Sequence, residues 1–355
     1  MKTKIDKIIN ILGKNLENDN LLEIKKEIGS LIKNAENRKT DKQGKLHLII
    51  EDRTISISQK YLKNELSQIA ETKTLERTKY YIRRLLRGLR EKKTNKVNDI
   101  NLYRWKEYDD IITDSLWMLK KRDGSGAHSA EYWGNFIPQI PNQFLKRYTK
   151  KNDWVLDPFL GCGTTLIECK RLGRNGIGIE LQKRVIEIAH KNLESENSTE
   201  NKVKFELINA DSSHINLKKT MQKLGIESVQ FVLLHPPYWD IIQFSEDEQD
   251  LSNAKSQKEF LRLFGRVIDN TVKFLDKGRY FAIVIGDKYE KGEWIPLAFY
   301  TMQEVMKRGY KLKSTIVKNF DFTKGKMNQK ELWRYRALVG GFYIFKHEYI
   351  FVFQK

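Results

Sequence analysis

The sequence predicts an α/β fold in which a mostly parallel, doubly wound sheet follows a basic, mostly helical N-terminal region. Three observations predict it. From Asp153 onward, short apolar runs alternate with helical patterns, as in a parallel sheet covered by helices on both faces. Two of these runs end in turns rich in glycine or proline. More than half of the excess positive charge lies before residue 123, where the apolar spacing is mostly helical.

The N-terminal region contains two clear helical patterns. Its apolar residues recur at three- and four-residue spacing in two groups: Ile5, Ile8, Ile9, Ile11, Leu12 and Tyr81, Leu85, Leu86, Leu89. An alternating run at 46–51 favours a strand, and 101–122 has the pattern of another amphipathic helix. The segment 123–126 (DGSG) breaks this pattern. We therefore predict an N-terminal region at 1–122 and a second domain at 123–355.

The second domain is predicted to alternate strands and helices. Apolar runs that fit buried strands occur at 154–156, 176–180, 205–207, 231–234 and 280–285. Helical patterns extend to about residue 171 after the first run and recur at 185–193 and near 257–275. The β-rich segments 312–318 and 342–353 are expected to form antiparallel strands at one edge of the sheet.

The charge distribution points to a phosphate-bearing partner. The chain has a formal net charge of +19, and residues 1–122 hold 29 Lys or Arg against 18 Asp or Glu. Within them, 73–96 has ten basic and two acidic residues, a density that suits a helix lying along a nucleic-acid backbone. The alternative is a solvated helix face.

The composition disfavours membrane and disulfide-rich classes. No run approaches the roughly 18 apolar residues of a membrane-spanning helix, and the first residues do not resemble a signal peptide, so a cytoplasmic protein is expected. The two cysteines, Cys162 and Cys169, have a spacing that suits neither a disulfide framework nor a zinc site. We assign them a packing role.

The glycine-rich turn, Asp157–Thr165 (DPFLGCGTT), is predicted to lie at the carboxyl end of a strand, where doubly wound sheets bind ligands. Gly161 and Gly163 leave room for a ligand, but the motif is neither a phosphate-binding Walker loop nor Gly-x-Gly-x-x-Gly. Glu180 ends the next strand and is placed to accept hydrogen bonds from ribose hydroxyls. Asp211 ends a third strand region and is placed to meet an adenine amino group.

These segments resemble the S-adenosylmethionine-dependent DNA amino-methyltransferases of the adenine-N6 and cytosine-N4 family. The resemblance covers about 128–355, and the matching segments are Gly134–Pro141, Asp157–Thr165, Gly176–Glu180, His235–Tyr238 and His347–Phe353. It implies a Rossmann-like methyltransferase fold with S-adenosyl-L-methionine as cofactor. The cofactor-binding residues would be Phe136, Pro138, Asp157, Phe159, Gly161, Gly163, Thr164, Glu180 and Asp211. The order of the segments resembles a permuted form, with the cofactor half before the catalytic half.

The proline-aromatic turn, His235-Pro236-Pro237-Tyr238, is the predicted catalytic site. An aromatic amine is a poor nucleophile, because its lone pair is delocalised into the ring. Acceptors for the amine hydrogens favour a pyramidal, nucleophilic nitrogen, and Pro-Pro fixes two φ angles and removes two donors from this turn. Tyr238 is predicted to stack on a base flipped out of the duplex.

His235 departs from the family pattern, which has Asp, Asn or Ser at this position. A neutral imidazole still accepts one hydrogen bond if the tautomer is right. Activity is therefore compatible with His235, but the choice between adenine and cytosine stays open, as does the effect of the histidine on the rate.

Other residues are predicted near the substrate. Trp239 and Phe244 either hold the base or strand, or simply pack the loop. Basic residues in the second domain are candidate phosphate contacts: Arg279, Lys288, Lys318, Lys324, Lys326, Arg334 and Arg336.

The predicted function is site-specific methylation of duplex DNA at adenine N6 or cytosine N4, in a restriction-modification system or a solitary one. Residues 1–122 would grip DNA or read its sequence. No metal is expected, and any restriction endonuclease would be a separate chain. The alternatives are an RNA or protein N-methyltransferase and a catalytically silent DNA-binding relative. The recognition sequence and the oligomeric state stay open.

Overall fold

The computed structural model describes residues 6–50, 53–128, 134–197, 203–320 and 330–355. The chain forms two compact units, Met1–Asp110 and Ile111–Lys355. The predicted boundary after residue 122 is wrong, because 111–122 belongs to the second unit. Trp117 in this segment is buried against Phe144, with ring centroids 5.6 Å apart.

The first unit surrounds its own hydrophobic core. Its helices are α1 (Lys7–Lys14), α2 (Leu21–Asn37), α3 (Gln59–Ala70) and α4 (Leu75–Arg90), and its antiparallel strands are β1 (Lys45–Ile50) and β2 (Arg53–Ser58). Alternate residues of β1, namely Leu46, Leu48 and Ile50, are buried with the apolar faces of the helices. The strand expected at 46–51 is therefore present, with residue 51 outside the described residues.

The helix predicted at 101–122 is wrong. The segment instead contains a 3₁₀ helix, Leu102–Glu107, and the short strand β3 (Leu116–Trp117). Asn101 favours the shorter turn, since its side chain accepts hydrogen bonds from the backbone N–H groups of Lys93 and Tyr103. Strand β3 pairs with a strand at Lys311–Asn319, which is far away in sequence. Helical spacing of apolar residues gives no sign of this tertiary contact.

The described part of the second unit holds an eight-stranded sheet. Its remaining strands are β4 (Trp154–Asp157), β5 (Asn175–Glu180), β6 (Phe205–Asn209), β7 (Val229–Leu234), β8 (Leu275–Ile285), β11 (Lys311–Asn319) and β12 (His347–Gln354). The order is β3-β11-β12-β8-β7-β4-β5-β6. Strands β4 to β8 run parallel, and β12 is antiparallel to both β8 and β11. The predicted fold class, a mostly parallel doubly wound sheet, is confirmed.

Helices cover both faces of this sheet. They are α5 (Gln139–Tyr148), α6 (Thr164–Leu172), α7 (Lys183–Ser195), α8 (Leu217–Leu224), α9 (Gln257–Thr271) and α10 (Leu297–Met306). A further helix, α11 (Lys330–Gly340), is largely exposed. A small hairpin pairs β9 (Lys288–Glu290) with β10 (Glu293–Ile295). Short 3₁₀ turns lie at Trp239–Ile241, Leu251–Asn253 and Val272–Phe274.

Strand β7 shows why the predicted strands read as unbroken apolar runs. Phe231 and Leu233 are buried in a cluster with Phe144 of α5, on one face of the sheet. Val232 and Leu234 are buried in a cluster with Phe264 of α9, on the other face. A strand covered on both faces needs apolar residues at every position, and each such side chain contributes about 1.5–3 kcal/mol.

Cys162 and Cys169 are both buried and unpaired, as a packing role requires. Across the ranges that the structure describes, no helix combines the length and the apolar character needed to span a bilayer.

Candidate active site

A cavity of about 650 Å³ opens at the carboxyl ends of the parallel strands. Its wall includes residues that follow β4, β5, β6, β7 and β8, together with the start of β12. Carboxyl ends of parallel strands lie along one edge of the sheet, so residues far apart in sequence meet there. The glycine-rich turn follows β4 and the proline-aromatic turn follows β7, the adjacent parallel strand, and both turns contribute to this wall.

The glycine-rich turn joins β4 to α6. Gly163 has φ +93°, a left-handed conformation that other residues rarely adopt, and it directly precedes the first residue of α6. Leu160 anchors the turn, because its N–H donates to the carbonyl of Ile179 on β5 at 3.0 Å. Among the predicted residues of this turn, Phe159, Gly161 and Thr164 line the cavity, and Gly163 does not.

Asp157 braces the turn from behind and is not part of the cavity wall. It is buried, and its carboxyl group accepts hydrogen bonds from the Thr165 hydroxyl at 2.5 Å and from the Phe159 N–H at 2.9 Å. Burial raises the pKa of Asp157 to about 7, although these hydrogen bonds act in the opposite direction. The structure thus gives Asp157 a role in shaping the loop, without showing the direct contact with the cofactor that was predicted.

Glu180, at the end of β5, does lie on the cavity wall. Its carboxylate accepts from the N–H of Gly161 at 3.0 Å and from the N–H of Gln182 at 2.9 Å, one bond to each oxygen. Burial raises the pKa of Glu180. A carboxylate offers about four lone-pair positions, so this group can still accept hydrogen bonds from a ligand.

Asp211 also lines the cavity, but its own turn uses much of its hydrogen-bonding capacity. Oδ1 accepts from the Ser213 N–H at 2.8 Å, and Oδ2 lies 2.7 Å from the Ser213 hydroxyl and 2.6 Å from Nδ1 of His214. Partial burial raises the pKa of Asp211, but the hydrogen bonds from His214 and Ser213 lower it by more. The pKa of Asp211 is therefore below its ordinary value. The adenine contact of Asp211 stays a prediction.

Phe136 and Pro138 lie between β3 and β4 in the chain and differ in position. Phe136 lines the cavity, and its ring meets the imidazole of His235 edge to face, with centroids 4.9 Å apart. Pro138 immediately precedes α5 and is not part of the wall. Only Phe136 of this pair is placed to close the pocket.

All four residues of the predicted catalytic turn, His235 to Tyr238, line the cavity. Burial lowers the pKa of His235 to about 4, so its imidazole is neutral at neutral pH. Nε2 of His235 lies 3.2 Å from the hydroxyl of Tyr238, which donates to Oε2 of Glu348 at 2.8 Å. Burial and the charge of Glu348 hold the pKa of Tyr238 well above its ordinary value.

Gly286, directly after β8, lets the Tyr238 ring approach. A Cβ at this position would lie 2.8 Å from a ring carbon of Tyr238, closer than van der Waals contact allows. Sequence reasoning missed Gly286, as it missed Glu348 on β12 as a partner of the catalytic turn. The signal for Glu348 was present: it is a single acidic residue at the start of an otherwise apolar and aromatic strand, within a segment that was already matched to the family.

Three of the proposed phosphate contacts are wrong, because carboxylates neutralise them. Lys318 is buried and donates to Oε1 of Glu348 at 2.9 Å. Lys288 is paired with Asp240 and Glu290.

Arg279 is paired with Asp153, at the amino end of the parallel strands and away from the cavity. Arg334 and Arg336 are exposed on α11, and Lys324 and Lys326 lie outside the described residues.

Trp239 packs the loop. Its backbone has φ +53°, its indole N–H donates to the Ala254 carbonyl at 2.7 Å, and the ammonium of Lys288 lies 4.1 Å from its ring centroid. The indole is not part of the cavity wall, whereas Phe244 is. The packing interpretation therefore suits Trp239, and a substrate contact stays a prediction for Phe244.

Within the described ranges, no group of three or more His, Cys, Asp or Glu residues could hold a metal ion. The wall instead combines apolar side chains with several carboxyl groups, two imidazoles (His235 and His347), the hydroxyls of Thr164, Ser212 and Tyr238, and Lys318. Such a lining is typical of a site that binds an organic ligand and orients it by a small number of polar contacts.

Comparison with known proteins identifies two protein families to which the sequence is similar. A family model for DNA methylases of the N6/N4 type matches residues 8–191 and 229–355. A model for RNA cap guanine-N2 methyltransferases matches 152–282.

Two curated relatives illustrate the similarity. The Type II methyltransferase M2.DpnII of Streptococcus pneumoniae is 39% identical over 109 residues, which are 29% of this chain and 41% of the relative. M2.LlaDCHI of Lactococcus lactis subsp. cremoris is 45% identical over 87 residues, 23% of this chain and 32% of the relative. The aligned segments thus span less than half of either relative.

Proposed function

Because the chain belongs to the N6/N4 family of DNA methylases, we propose that it transfers a methyl group from S-adenosylmethionine to an exocyclic amino group of DNA, adenine N6 or cytosine N4. One observation carries the proposal: the glycine-rich turn with Glu180 and the His235–Tyr238 turn line the same cavity. A cofactor on one turn and a base on the other would therefore meet within one pocket, which supplies the proximity that methyl transfer requires.

The cavity residues fit the cofactor. A volume of about 650 Å³ lies within the roughly 300–1,000 Å³ usual for small-molecule sites. Glu180 would accept hydrogen bonds from the ribose hydroxyls, the backbone at Gly161 would face the methionine part, and Phe136 would cover the pocket. When bound, the cofactor supplies an electrophilic methyl group on a sulfonium centre.

His235 would activate the target amine. Its neutral imidazole accepts a hydrogen bond from the NH₂ group, which draws the nitrogen away from conjugation with the ring and makes its lone pair available. Pro236 and Pro237 have no N–H, so neither residue supplies a backbone donor that would compete with the amine. With a pKa of about 4, His235 is too weak a base to retain the proton, which would pass to solvent.

The target base would have to leave the duplex to reach this partly buried turn. The site architecture does not choose between adenine and cytosine, since both present an aromatic NH₂ group. A separate restriction endonuclease and a cytoplasmic location belong to the same proposal, motivated by relatives that are named Type II methyltransferases.

RNA is the second candidate substrate. The match to RNA cap guanine-N2 methyltransferases over 152–282 includes both the glycine-rich turn and His235–Tyr238, so these two turns alone do not exclude RNA. The DNA methylase match also includes most of the first unit, from residue 8 onward, which favours DNA.

The test is transfer of labelled methyl groups to mixed-sequence duplex DNA, RNA and a protein mixture in parallel, with identification of the modified nucleoside or residue by mass. We expect N6-methyladenine or N4-methylcytosine in the DNA. Label in RNA or protein alone would replace the proposal with one of the alternatives. No transfer despite measured binding of S-adenosylmethionine and DNA would indicate a silent relative.

The first unit would grip the DNA backbone. Helix α4 buries Ile82 and Leu85 and exposes Arg83, Arg87 and Arg90. Residues 83, 87 and 90 recur at helical spacing, so their side chains emerge on one side of the helix.

Three cations of α4, Arg87 among them, already have partners within the first unit. Lys79 is paired with Asp19 and Arg84 with Glu65, while the Arg87 guanidinium stacks 4.2 Å from the centroid of the Tyr103 ring. The surface available to phosphate is thus smaller than the ten basic residues of 73–96 indicate, which partly supports the solvated-face alternative.

Replacing Arg83 and Arg90 with glutamine is expected to weaken DNA binding and to reduce the slope of log affinity against log salt by about two. Each lost phosphate contact removes about one released counterion. Binding is measured by fluorescence anisotropy between about 50 and 200 mM salt. Lys26→Gln, an exposed lysine on α2, is the control. An unchanged slope in the double variant would mean that Arg83 and Arg90 face solvent and do not contact DNA phosphates.

A further inference from the structure

A continuous chain of hydrogen bonds connects two antiparallel strands near one end of the sheet to the catalytic turn. Lys318 on β11 and Glu348 on β12 are directly opposite each other in the antiparallel register. The Lys318 ammonium donates to Oε1 of Glu348 at 2.9 Å, and the Tyr238 hydroxyl donates to Oε2 at 2.8 Å. The same hydroxyl lies 3.2 Å from Nε2 of His235.

A contribution to the stability of the fold is a weak explanation for these linked hydrogen bonds. Lys318 and Glu348 expose only 5% and 9% of their surfaces. The desolvation of two buried charges commonly offsets their attraction, and an apolar pair of similar size would stabilise these two strands at least as well. A buried ion pair that ends on a catalytic turn therefore calls for a chemical explanation.

The direction of each hydrogen bond is determined by the groups involved. An ammonium only donates, and the Glu348 carboxylate that it pairs with only accepts. Tyr238 has one hydroxyl hydrogen, which goes to Glu348. The Tyr238 oxygen is thus left as an acceptor toward His235, and Nε2 must carry the imidazole proton. In a neutral imidazole the other nitrogen, Nδ1, is then the acceptor.

We propose that Lys318 and Glu348 are positioning residues that act through Tyr238 to hold the proton of His235 on Nε2, so that Nδ1 is the acceptor for the substrate amine. This inference rests on the proposed function for its biological meaning. The tautomer itself is a property of the protein alone. Phe136 supports the arrangement, since its ring meets the imidazole edge to face and limits rotation of the ring.

Glu348→Gln is the decisive variant, because it retains the shape of the side chain and reverses the hydrogen bonds. Lys318 can only donate, so it takes the amide oxygen of the new side chain. The amide NH₂ then faces Tyr238, whose oxygen must accept. The hydroxyl hydrogen of Tyr238 turns toward Nε2 of His235, and the imidazole proton moves to Nδ1.

The readout is ¹⁵N NMR of protein labelled at the histidine ring nitrogens, which distinguishes protonated from unprotonated ring nitrogens. The chain has six histidines, and the signals of His235 are assigned with His235→Asn. We expect protonated Nε2 in the wild type and protonated Nδ1 in Glu348→Gln. Methyl transfer by Glu348→Gln should fall by about 10²-fold, because the amine then faces a donor.

A second variant tests the role of Lys318. In Lys318→Met/Glu348→Gln the amide is free to turn its oxygen back toward Tyr238, so the Nε2 proton and part of the transfer rate should return. Lys313→Met, an exposed lysine on the same strand, is the control and should match the wild type in both measurements. Tyr238→Phe removes the connecting oxygen and should populate both tautomers.

The outcomes separate this inference from the proposed function. The expected tautomers with no methyl transfer in any variant would support the role of Lys318 and Glu348 in holding the His235 proton and contradict the proposed reaction. Methyl transfer by the wild type, with His235 protonated on Nε2 in both Glu348→Gln and Tyr238→Phe, would overturn this role. The proposed reaction would then stay intact. If Glu348→Gln fails to fold, Tyr238→Phe decides by the same criterion.

Discussion

His235→Ala is expected to reduce the rate of methyl transfer by about 10²–10³-fold, the usual effect of removing one preorganised polar group from a reacting centre. S-adenosylmethionine binding should stay within about twofold of the wild type, because His235 follows β7 and the cofactor would lie on the turns after β4 and β5. Single-turnover transfer to DNA measures the first quantity, and calorimetry measures the second.

Two matched variants sharpen this result. His235→Asn retains an acceptor oxygen and has a residue type usual in the family at this position, so it should recover transfer to within about tenfold of the wild type. His190→Ala, an exposed histidine on α7, should have no effect. Full transfer by His235→Ala would show that another group activates the amine.

The pH profile offers an independent check on His235. Burial lowers its pKa to about 4, so the acceptor form is present throughout the neutral range and is lost only as the pH falls toward 4. The transfer rate of the wild type should therefore show no acid inflection near 6.5, the ordinary pKa of histidine. An inflection near 6.5 that His235→Asn abolishes would mean that the imidazole is exposed to water during the reaction.

The sheet was predictable from sequence because its central strands, such as β4, β5 and β7, are buried on both faces. Five of the predicted apolar runs correspond to β4, β5, β6, β7 and β8. Burial on both faces leaves a continuous apolar signature that needs no knowledge of partners. The antiparallel strands β11 and β12 also followed from composition, although β12 begins at His347, five residues after the predicted start, and β3 lies outside β11 at the end of the sheet.

Features that depend on register were not predictable. The pairing of Lys318 with Glu348 is set by the alignment of β11 with β12, and a single-residue shift would turn one of the two side chains to the other face of the sheet. Without knowledge of this pairing, Lys318 was predicted to be an exposed cation that contacts phosphate. Trp117 in β3 shows the same limit, because it pairs with Lys318, 201 residues later in the chain, and local spacing favoured a helix.

The site motifs were predictable as segments, but individual roles within them were not. Asp157 and Glu180 both end strands of the parallel sheet. Glu180 reaches the cavity, while Asp157 is held behind the turn by Thr165 and Phe159. Which way a carboxylate points at a strand end depends on the turn that follows, and this conformation is not encoded in residue spacing.

Glu180→Ala is expected to weaken S-adenosylmethionine binding by about 10²-fold or more, since hydrogen bonds to a charged group contribute about 1.5–3 kcal/mol each and two ribose hydroxyls would be involved. Glu180→Gln should lie between Glu180→Ala and the wild type, because the amide retains one oxygen. Calorimetry with the intact chain provides the dissociation constants. Glu187→Ala, an exposed glutamate on α7, is the control and should bind normally.

Loss of affinity alone would not prove a ribose contact, because Glu180 also accepts from the N–H groups of Gly161 and Gln182 and so shapes the turn. A cofactor analogue that lacks both ribose hydroxyls resolves this ambiguity. If Glu180 binds the ribose, the wild type should lose about 10²-fold in affinity for the analogue, and Glu180→Ala should bind both ligands equally. If Glu180→Ala still discriminates between the two ligands as strongly as the wild type, its effect comes from the turn, and the ribose must be recognised elsewhere in the cavity.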